Sequence, residues 1–391
     1  MSTPSFEVFA RDGSARCGRL TTPHGVVETP AFMPVGTQGA VKSLTPADLR
    51  KVGAQIVLSN TYHLFLRPGS GLVRELGGLH RFMAWDGPIL TDSGGYQVWS
   101  LAALRTIDED GVHFRSHLDG GVAHRLTPEL AVAVQHELGA DILHPLDECL
   151  PHPASHAETE VSLARTVRWA RRARAAHAAG GRPGQACFGI VQGGMYADLR
   201  RAAVEATCAL DFDGYALGGF AVGEPRGLMV DLVAETAGQL PVDQPRYLMG
   251  VGRPDDLVDA VAAGVDLFDC VLPTRHARTG QLFTRHGLLT IKNAAHARDP
   301  RPIDPGCPCY TCRHFSRAYL RHLFLARELT VYRLHTLHNL TCYLGLVADM
   351  RAAIAAGTFE RLRRAVREAY ATADRESVPV SADAAAEEDR S

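Results

Sequence analysis

Three cysteines fall within six residues, Cys307-x-Cys309-x-x-Cys312, and His338 follows on a helix-patterned segment. Three thiolates and one imidazole match the four positions of a tetrahedral zinc ion. Cys307 and Cys309 are too close in the chain for an easy disulfide. Nine cysteines, an odd number, read as reduced thiols. Spacing alone leaves His314 and His335 open beside His338 as the fourth ligand. Four protein ligands leave no position for water or substrate. The expected zinc, one per subunit, therefore holds structure, and the chemistry belongs elsewhere.

A second group of residues supplies that chemistry. Asp92, Asp147, Gln192, Gly218-Gly219, Met249 and Asp269 each close a short apolar run. Aspartate is also common at turns and caps, but Asp269 sits in Leu267-Phe-Asp-Cys-Val-Leu-Pro273. An unpaired carboxylate is costly in such a surround, which makes Asp269 a candidate nucleophile. Asp92 leads into Ser93-Gly94-Gly95-Tyr96, a turn that lets backbone approach closely and offers Tyr96 as a flat face. Gln192 and Gly218-Gly219 add an amide and backbone donors without bulk. Together these parts suit a planar, hydrogen-bonding heterocycle, with Tyr96 and Met249 as its faces.

Such residues need a frame that brings strand ends together. The apolar runs begin near Gln55, Pro88, Ala140, Cys187, Gly214, Arg246 and Val265, and helix-patterned segments separate most of them. Thr127 to Leu138 starts on a threonine cap with Pro128 in the first turn; 198–210 and 254–263 are similar. Buried strands alternating with amphipathic helices imply a parallel sheet. Seven or eight such units predict an α/β fold, a TIM (β/α)8 barrel with its chemistry at the C-terminal strand ends. The glycine turns do not match the dinucleotide fingerprint, which weakens an open doubly wound sheet. The first ~25 residues read as a small β element capping the barrel. Residues 1–372 are expected to form one catalytic domain, with a zinc-binding insertion over about 282–345. Short strands around Arg285-His286-Gly287 precede the cysteines, and a helical block from Arg317 to Ala355 closes the ordered part. Residues 373–391, rich in Ser, Ala, Asp and Glu, read as a disordered tail.

Composition bounds the rest. The chain has 391 residues, 46% of them hydrophobic, and a net charge of -2. No apolar run approaches the ~18–20 residues that span a bilayer, and no signal-peptide pattern opens the chain, so a cytoplasmic setting without membrane is expected. Between Thr274 and Pro302, six basic residues face one acid, Asp299, a local net of +5. That suits either a phosphate-contacting surface or a solvated arginine-rich face. A second run, Arg165 to Arg174, reads as the charged face of a helix whose apolar side carries Val161, Ala164, Val167 and Ala170.

The segments Thr91-Asp-Ser-Gly-Gly-Tyr-Gln97, Leu146-Asp-Glu-Cys149, Ile190-Val-Gln-Gly-Gly194 and Leu217-Gly-Gly219 closely resemble the bacterial tRNA-guanine transglycosylases. Ala221-Val-Gly-Glu224, Phe268-Asp-Cys-Val-Leu-Pro-Thr-Arg275 and the set Cys307, Cys309, Cys312, His338-Asn339 do so as well. The resemblance runs from about residue 5 to 370. It implies a TIM barrel with a zinc insertion. It also implies exchange of the wobble guanine of GUN-anticodon tRNAs for a 7-deazaguanine base, toward queuosine. Asp269 would be the nucleophile and Asp92 the general acid/base. Asp147, Gln192 and Gly219 would hold the base edge, Tyr96 and Met249 its faces, and Ser93, Gly94, Gly95 and Gly218 would line the pocket. Gly250, Val251, Gly252, Arg253, Pro254, Asp255 and Asp256, with Thr274, Arg275, His276, Ala277 and Arg278, would meet the tRNA anticodon loop. Of the three histidines, the resemblance selects His338, and it implies a homodimer.

Some positions depart from the family's commoner pattern. Phe220 stands where leucine is usual, and His276 and Thr279 replace asparagines. Cys149 and Val222 are similar to the bacterial choices that favour the aminomethyl base over bulkier queuine. A barrel zinc hydrolase usually opens with His-x-His, and none of the 18 histidines are two apart. A non-catalytic RNA-binding partner would have lost the nucleophile.

Overall fold

A computed structural model describes residues 4–95, 105–116 and 120–371. Its centre is one eight-stranded parallel sheet: β1 (Ala31–Met33), β2 (Val57–Ser59), β3 (Ile89–Thr91), β4 (Ile142–Leu143), β5 (Ala186–Val191), β6 (Gly214–Leu217), β7 (Arg246–Leu248) and β8 (Leu267–Asp269). Neighbours pair in chain order, and β8 returns onto β1 with Asp269 opposite Met33. A single bridge between Val35 and Leu58 closes the ring just beyond β1. There Leu58 N donates to Pro34 O at 3.1 Å and Gly36 N donates to Leu58 O at 2.6 Å. The (β/α)8 barrel read from the sequence is the fold. Only β1 escaped that reading, because Pro30 and Pro34 flank its three residues and proline argues against a central strand.

Side chains alternate across the barrel wall with the period of two that a strand dictates. Ala31, Met33, Leu58, Leu90, Ile142, Ile190, Ala216, Tyr247 and Leu267 pack together inside. Phe32, Val57, Ile89, Leu143, Val191, Leu217, Leu248 and Phe268 belong to the outer core under the helices. Continuing the inner series by one step gives Asp92 after Leu90, Gln192 after Ile190 and Gly218 after Ala216. The same step gives Met249 after Tyr247 and Asp269 after Leu267. The polar strand-end residues thus share the parity of the interior.

Three antiparallel strands, Ser5–Asp12, Ala15–Thr22 and Gly25–Thr29, form the N-terminal element. Leu20 and Val27 join the interior cluster, with Phe6 packed against it, so this sheet closes the N-terminal end of the barrel. The predicted helices form as Pro128–Leu138, Ala197–Cys208 and Pro254–Ala262. Thr127 caps the first, its Oγ1 accepting from Leu130 N at 3.2 Å.

The arginine-rich run lies in the helix His156–Gly180, but the expected apolar stripe is displaced. Ser162, Leu163, Thr166, Trp169, Ala170 and Ala173 are buried, whereas Val161 and Ala164 are exposed. Seating the large Trp169 and Leu163 side chains sets the helix rotation, and smaller Val161 and Ala164 turn outward. Arg168 and Arg172 pair with Glu109 and Glu129 on a charged outer face, while Arg165 pairs with the largely buried Glu148.

After β8, the helix Leu272–Thr279 leads into a hairpin, Gln281–Thr284 with Gly287–Thr290, and then the cysteines. Leu282, Ile291, Ile303, Leu320, Leu323, Val331 and Leu334 give this segment a core of its own. The helical block is two helices, Arg317–Leu325 and Leu329–Ala355, and the second runs back along the barrel. Its Tyr343 ring packs against Phe32 and Phe283, and its hydroxyl donates to Gly252 O at 2.5 Å. Elements beyond the sequence reading include a three-stranded sheet of Arg105–Ile107, Val112–Arg115 and Ala123–Leu126, and the helices Arg226–Gln239 and Phe359–Ala371, the last of which buries Phe359 and Tyr370. Residues 373–391 lie outside the described part. No helix among the described residues is long and apolar enough to cross a membrane.

Candidate active site and metal cluster

A cavity of about 620 Å³ opens at the C-terminal ends of the strands. Asp92, Ser93, Asp147, Gln192, Gly218, Gly219, Met249 and Asp269 line it, joined by Gly250 to Arg253, Asp256 and Arg275. Residues far apart in sequence are therefore brought to one space. Tyr96 lies outside the described residues.

Asp269 ends β8. Its Oδ1 accepts from the Tyr247 hydroxyl at 2.6 Å and from Gly250 N at 2.8 Å. Among the described residues, Oδ2 accepts no hydrogen bond from another residue. Burial raises the carboxyl above its ordinary value, while the bonds from Tyr247 and Gly250 pull the other way. Tyr247 is itself pushed well above the ordinary phenol value, by burial first and then by the charges of Asp269 and Asp92. Both carboxylates therefore act on one phenol.

Asp92 is buried and oriented from the end of β2. Thr61 N donates to Oδ1 at 2.8 Å, and the Asn60 side-chain amide donates to Oδ2. Thr61 Oγ1 donates to the Asp92 carbonyl at 2.6 Å. Sequence reading missed Asn60, Thr61 and Tyr247 as partners. Tyr247 was reachable, since it lies two residues before Met249 on the same face of β7.

Asp147 comes from the loop after β4, where Ser93 Oγ donates to Oδ1 at 2.6 Å and Gln192 Nε2 to Oδ2 at 2.7 Å. Burial raises this carboxyl too, against those two bonds. Gly95 is required behind it, because a Cβ there would meet Asp147 O at 2.5 Å. Gly219 has φ +72°, and its Cβ would meet Gln192 Oε1 at 2.4 Å. Glu224 clamps the next turn, accepting from Ala221 N at 2.6 Å and Val222 N at 2.9 Å. Cys149 and Phe220 complete this wall.

The residues expected at RNA divide in two. Arg275 reaches the cavity, Gly250 is exposed, and Arg253 and Arg278 are half-buried. Asp255 and Asp256 are instead buried against arginines: Arg226 Nε meets Asp256 at 2.6 Å, and Arg253 Nε meets Asp255 at 3.2 Å. Burial and neighbouring Asp255 push Asp256 up to about 6. Thr274 and Ala277 are buried, and His276 stacks on Phe283 at 5.2 Å between ring centres. Farther along the basic stretch, Arg301 pairs with Asp299 at 2.8 Å.

Cys307, Cys309, Cys312 and His338 bring their ligand atoms within 4.8 Å of one another, a group that could hold a metal ion. None of the nine cysteines is in a disulfide. His338 Nδ1 lies 3.3 Å from Cys312 Sγ and 3.7 Å from Cys309 Sγ. Its Nε2 donates to Phe283 O at 2.7 Å, so the nitrogen facing the sulfurs carries the lone pair a metal needs. The rivals point elsewhere: His335 Nδ1 bonds Ala277 O at 3.1 Å, and His314 packs on Tyr310. Asn339 holds the same residue from its other side, accepting from Phe283 N at 3.0 Å and donating to Pro273 O at 2.9 Å.

The family model described as Queuine tRNA-ribosyltransferase matches residues 12–372. A queuine tRNA-ribosyltransferase of Solidesulfovibrio magneticus is 58% identical over 95% of this chain and 99% of its own. Proteins of the same name from Nitratidesulfovibrio vulgaris and Moorella thermoacetica are 56% and 54% identical over 95% of this chain, covering 98% and 99% of theirs. With the barrel, the strand-end carboxylates and the Cys3His cluster, these matches mean that the chain belongs to the queuine tRNA-ribosyltransferase family, the tRNA-guanine transglycosylases.

Proposed function

We propose that this protein exchanges the wobble guanine of tRNAs with a GUN anticodon, those for Asp, Asn, His and Tyr, for 7-aminomethyl-7-deazaguanine. Asp269 attacks C1′ of the ribose, and the C1′–N9 bond breaks as Asp92 gives guanine its proton. The incoming base then loses its N9 proton to Asp92 and displaces Asp269 from C1′. Two inversions give net retention, the logic of retaining glycosidases. The observation that carries this reading is the unequal use of the Asp269 oxygens. Oδ1 is held by Tyr247 and Gly250, and Oδ2 is left for the covalent bond.

The departing and arriving bases share one slot. Asp147, Gln192 and Gly219 bind the edge, Ser93 and the glycines 94, 95 and 218 shape the wall, and Met249 and Tyr96 cover the faces. The target nucleotide leaves its stack to reach that slot. Gly250 to Asp256 and Thr274 to Arg278 meet the anticodon loop. In the first segment the buried aspartates hold Arg253 and Arg226, and in the second Arg275 and Arg278 make the contacts. Zinc fits the Cys3His donor set, and His338 already has the tautomer to ligate it. We assign the ion a structural role in one catalytic domain, 1–372. Tyr319, Leu325 and Leu329, exposed on the zinc subdomain, support a homodimer. The setting is cytoplasmic.

The test is incorporation of labelled guanine into a GUN-anticodon tRNA, with Asp269→Asn and Asp92→Asn alongside. Loss in both variants and a denaturation-stable RNA adduct in the wild type are expected. Undiminished incorporation by Asp269→Asn would overturn the mechanism.

A further inference from the structure

Arg200 is 1% exposed, on the helix Ala197–Cys208 behind the base-binding wall. Among the described residues, no carboxylate lies within ion-pair distance of it. Burial brings the guanidinium down to about 9, and Glu224 and Cys149 offset this only at longer range. An uncompensated buried cation costs stability, and a surface helix position could have avoided it. The side chain instead makes three contacts, all to loops that line the cavity. Nε donates to Gly194 O at 2.7 Å, and Nη2 donates to Gly218 O at 3.1 Å. The guanidinium carbon lies 3.7 Å from the centre of the Phe220 ring. Nη1 has no hydrogen-bond partner among the described residues.

Those loops interleave. A Cβ at Gly218 would meet Gln192 Nε2 at 2.7 Å, and one at Gly193 would meet Arg200 N at 2.8 Å. The Gln192 side chain, which also bonds Asp147, therefore packs directly against the Gly218–Gly219 backbone of the second loop. Glu224 secures the far side of the second loop through Ala221 N and Val222 N. Only a planar fork with a stackable face serves two carbonyls and a ring at once, which a lysine ammonium cannot do.

We propose that Arg200, with Phe220 against it, is the positioning residue that sets the width of the base slot. It fastens the Gln192–Gly194 loop to the Gly218–Phe220 loop and so fixes the separation of the Gln192 amide and the Gly219 backbone. The inference rests on the base-exchange reading above. Arg200 touches no reacting atom, so its loss should weaken recognition of the free base more than turnover.

Arg200→Lys and Phe220→Leu are compared with wild type for KM toward free guanine, KM toward tRNA, kcat, melting temperature and guanine affinity by calorimetry. The expected result is a rise of about tenfold in KM and Kd for guanine in Arg200→Lys, the scale of one lost charge-assisted hydrogen bond. The rise should be smaller in Phe220→Leu, and in both kcat should fall less than KM rises. The double variant should exceed Arg200→Lys only slightly, because the two side chains act as one unit. If guanine KM and Kd stay at wild-type values in folded variants, the clamp is wrong. It is equally wrong if the tRNA KM and the guanine KM rise by the same factor. Should Arg200→Lys fail to fold, Phe220→Leu decides alone. A wild type that binds guanine but transfers none overturns the proposed function, while its Kd series still tests the clamp.

Discussion

At the scale of the residue, Asp269 holds a conflict between stability and chemistry. Burial disfavours its ionised form, yet the displacement we propose at C1′ needs the carboxylate. Because its folded value is raised, its favourable contribution is present below the ordinary carboxyl value and is lost as pH rises through the folded one. Asp269→Asn should therefore melt higher than wild type at neutral pH, with the gain shrinking toward acid, while transfer falls by about 10⁴-fold or more. Scanning calorimetry at several pH values checks the first outcome and single-turnover transfer the second. The Tyr247 hydroxyl stabilises the ionised form. Tyr247→Phe should accordingly move the acid limb of the pH–rate profile upward; an unmoved limb would show that it belongs to another group. Asp269, Asp92, Asp147 and Gln192 were legible in sequence because each follows an apolar run. Asn60, Thr61 and Arg200 were not, since a supporting role depends on partners that only the fold brings near.

At the scale of the element, three barrel helices were readable from their starts, and the barrel strands other than β1 from their abrupt polar ends. The failures have local causes. Prolines at both ends concealed β1, and the rotation of His156–Gly180 follows its largest side chains rather than the most regular aliphatic spacing. The helix Leu329–Ala355 joins two cores, holding His338 near its start and Tyr343 against the barrel. Tyr343→Ala removes a buried ring and a hydrogen bond, and should cost about 3–5 kcal/mol, read as a lower midpoint in urea. Thr127→Ala removes only a cap and should cost about 1 kcal/mol.

At the scale of the whole molecule, the Cys3His cluster is linked through backbone to the segment Leu272–Thr279, which we propose meets the anticodon loop. His338 and Asn339 grip the Phe283 backbone, Asn339 reaches Pro273 O, and His335 reaches Ala277 O. Removing the proposed zinc with a chelator should lower the melting temperature and raise KM for tRNA more than KM for the free base; metal analysis should find one ion lost per chain. Equal effects on both substrates would mean that the cluster supports the barrel at large. The parity of the barrel wall has a further consequence. Chemistry here is written in a two-letter frame along each strand, inward and outward, and the frame is set upstream of the reactive residue. Deleting the one residue between Leu90 and Asp92, or between Leu267 and Asp269, would keep both carboxylates in the chain yet turn one of them toward the helices. Strand-end insertions and deletions should thus silence this protein more surely than most substitutions.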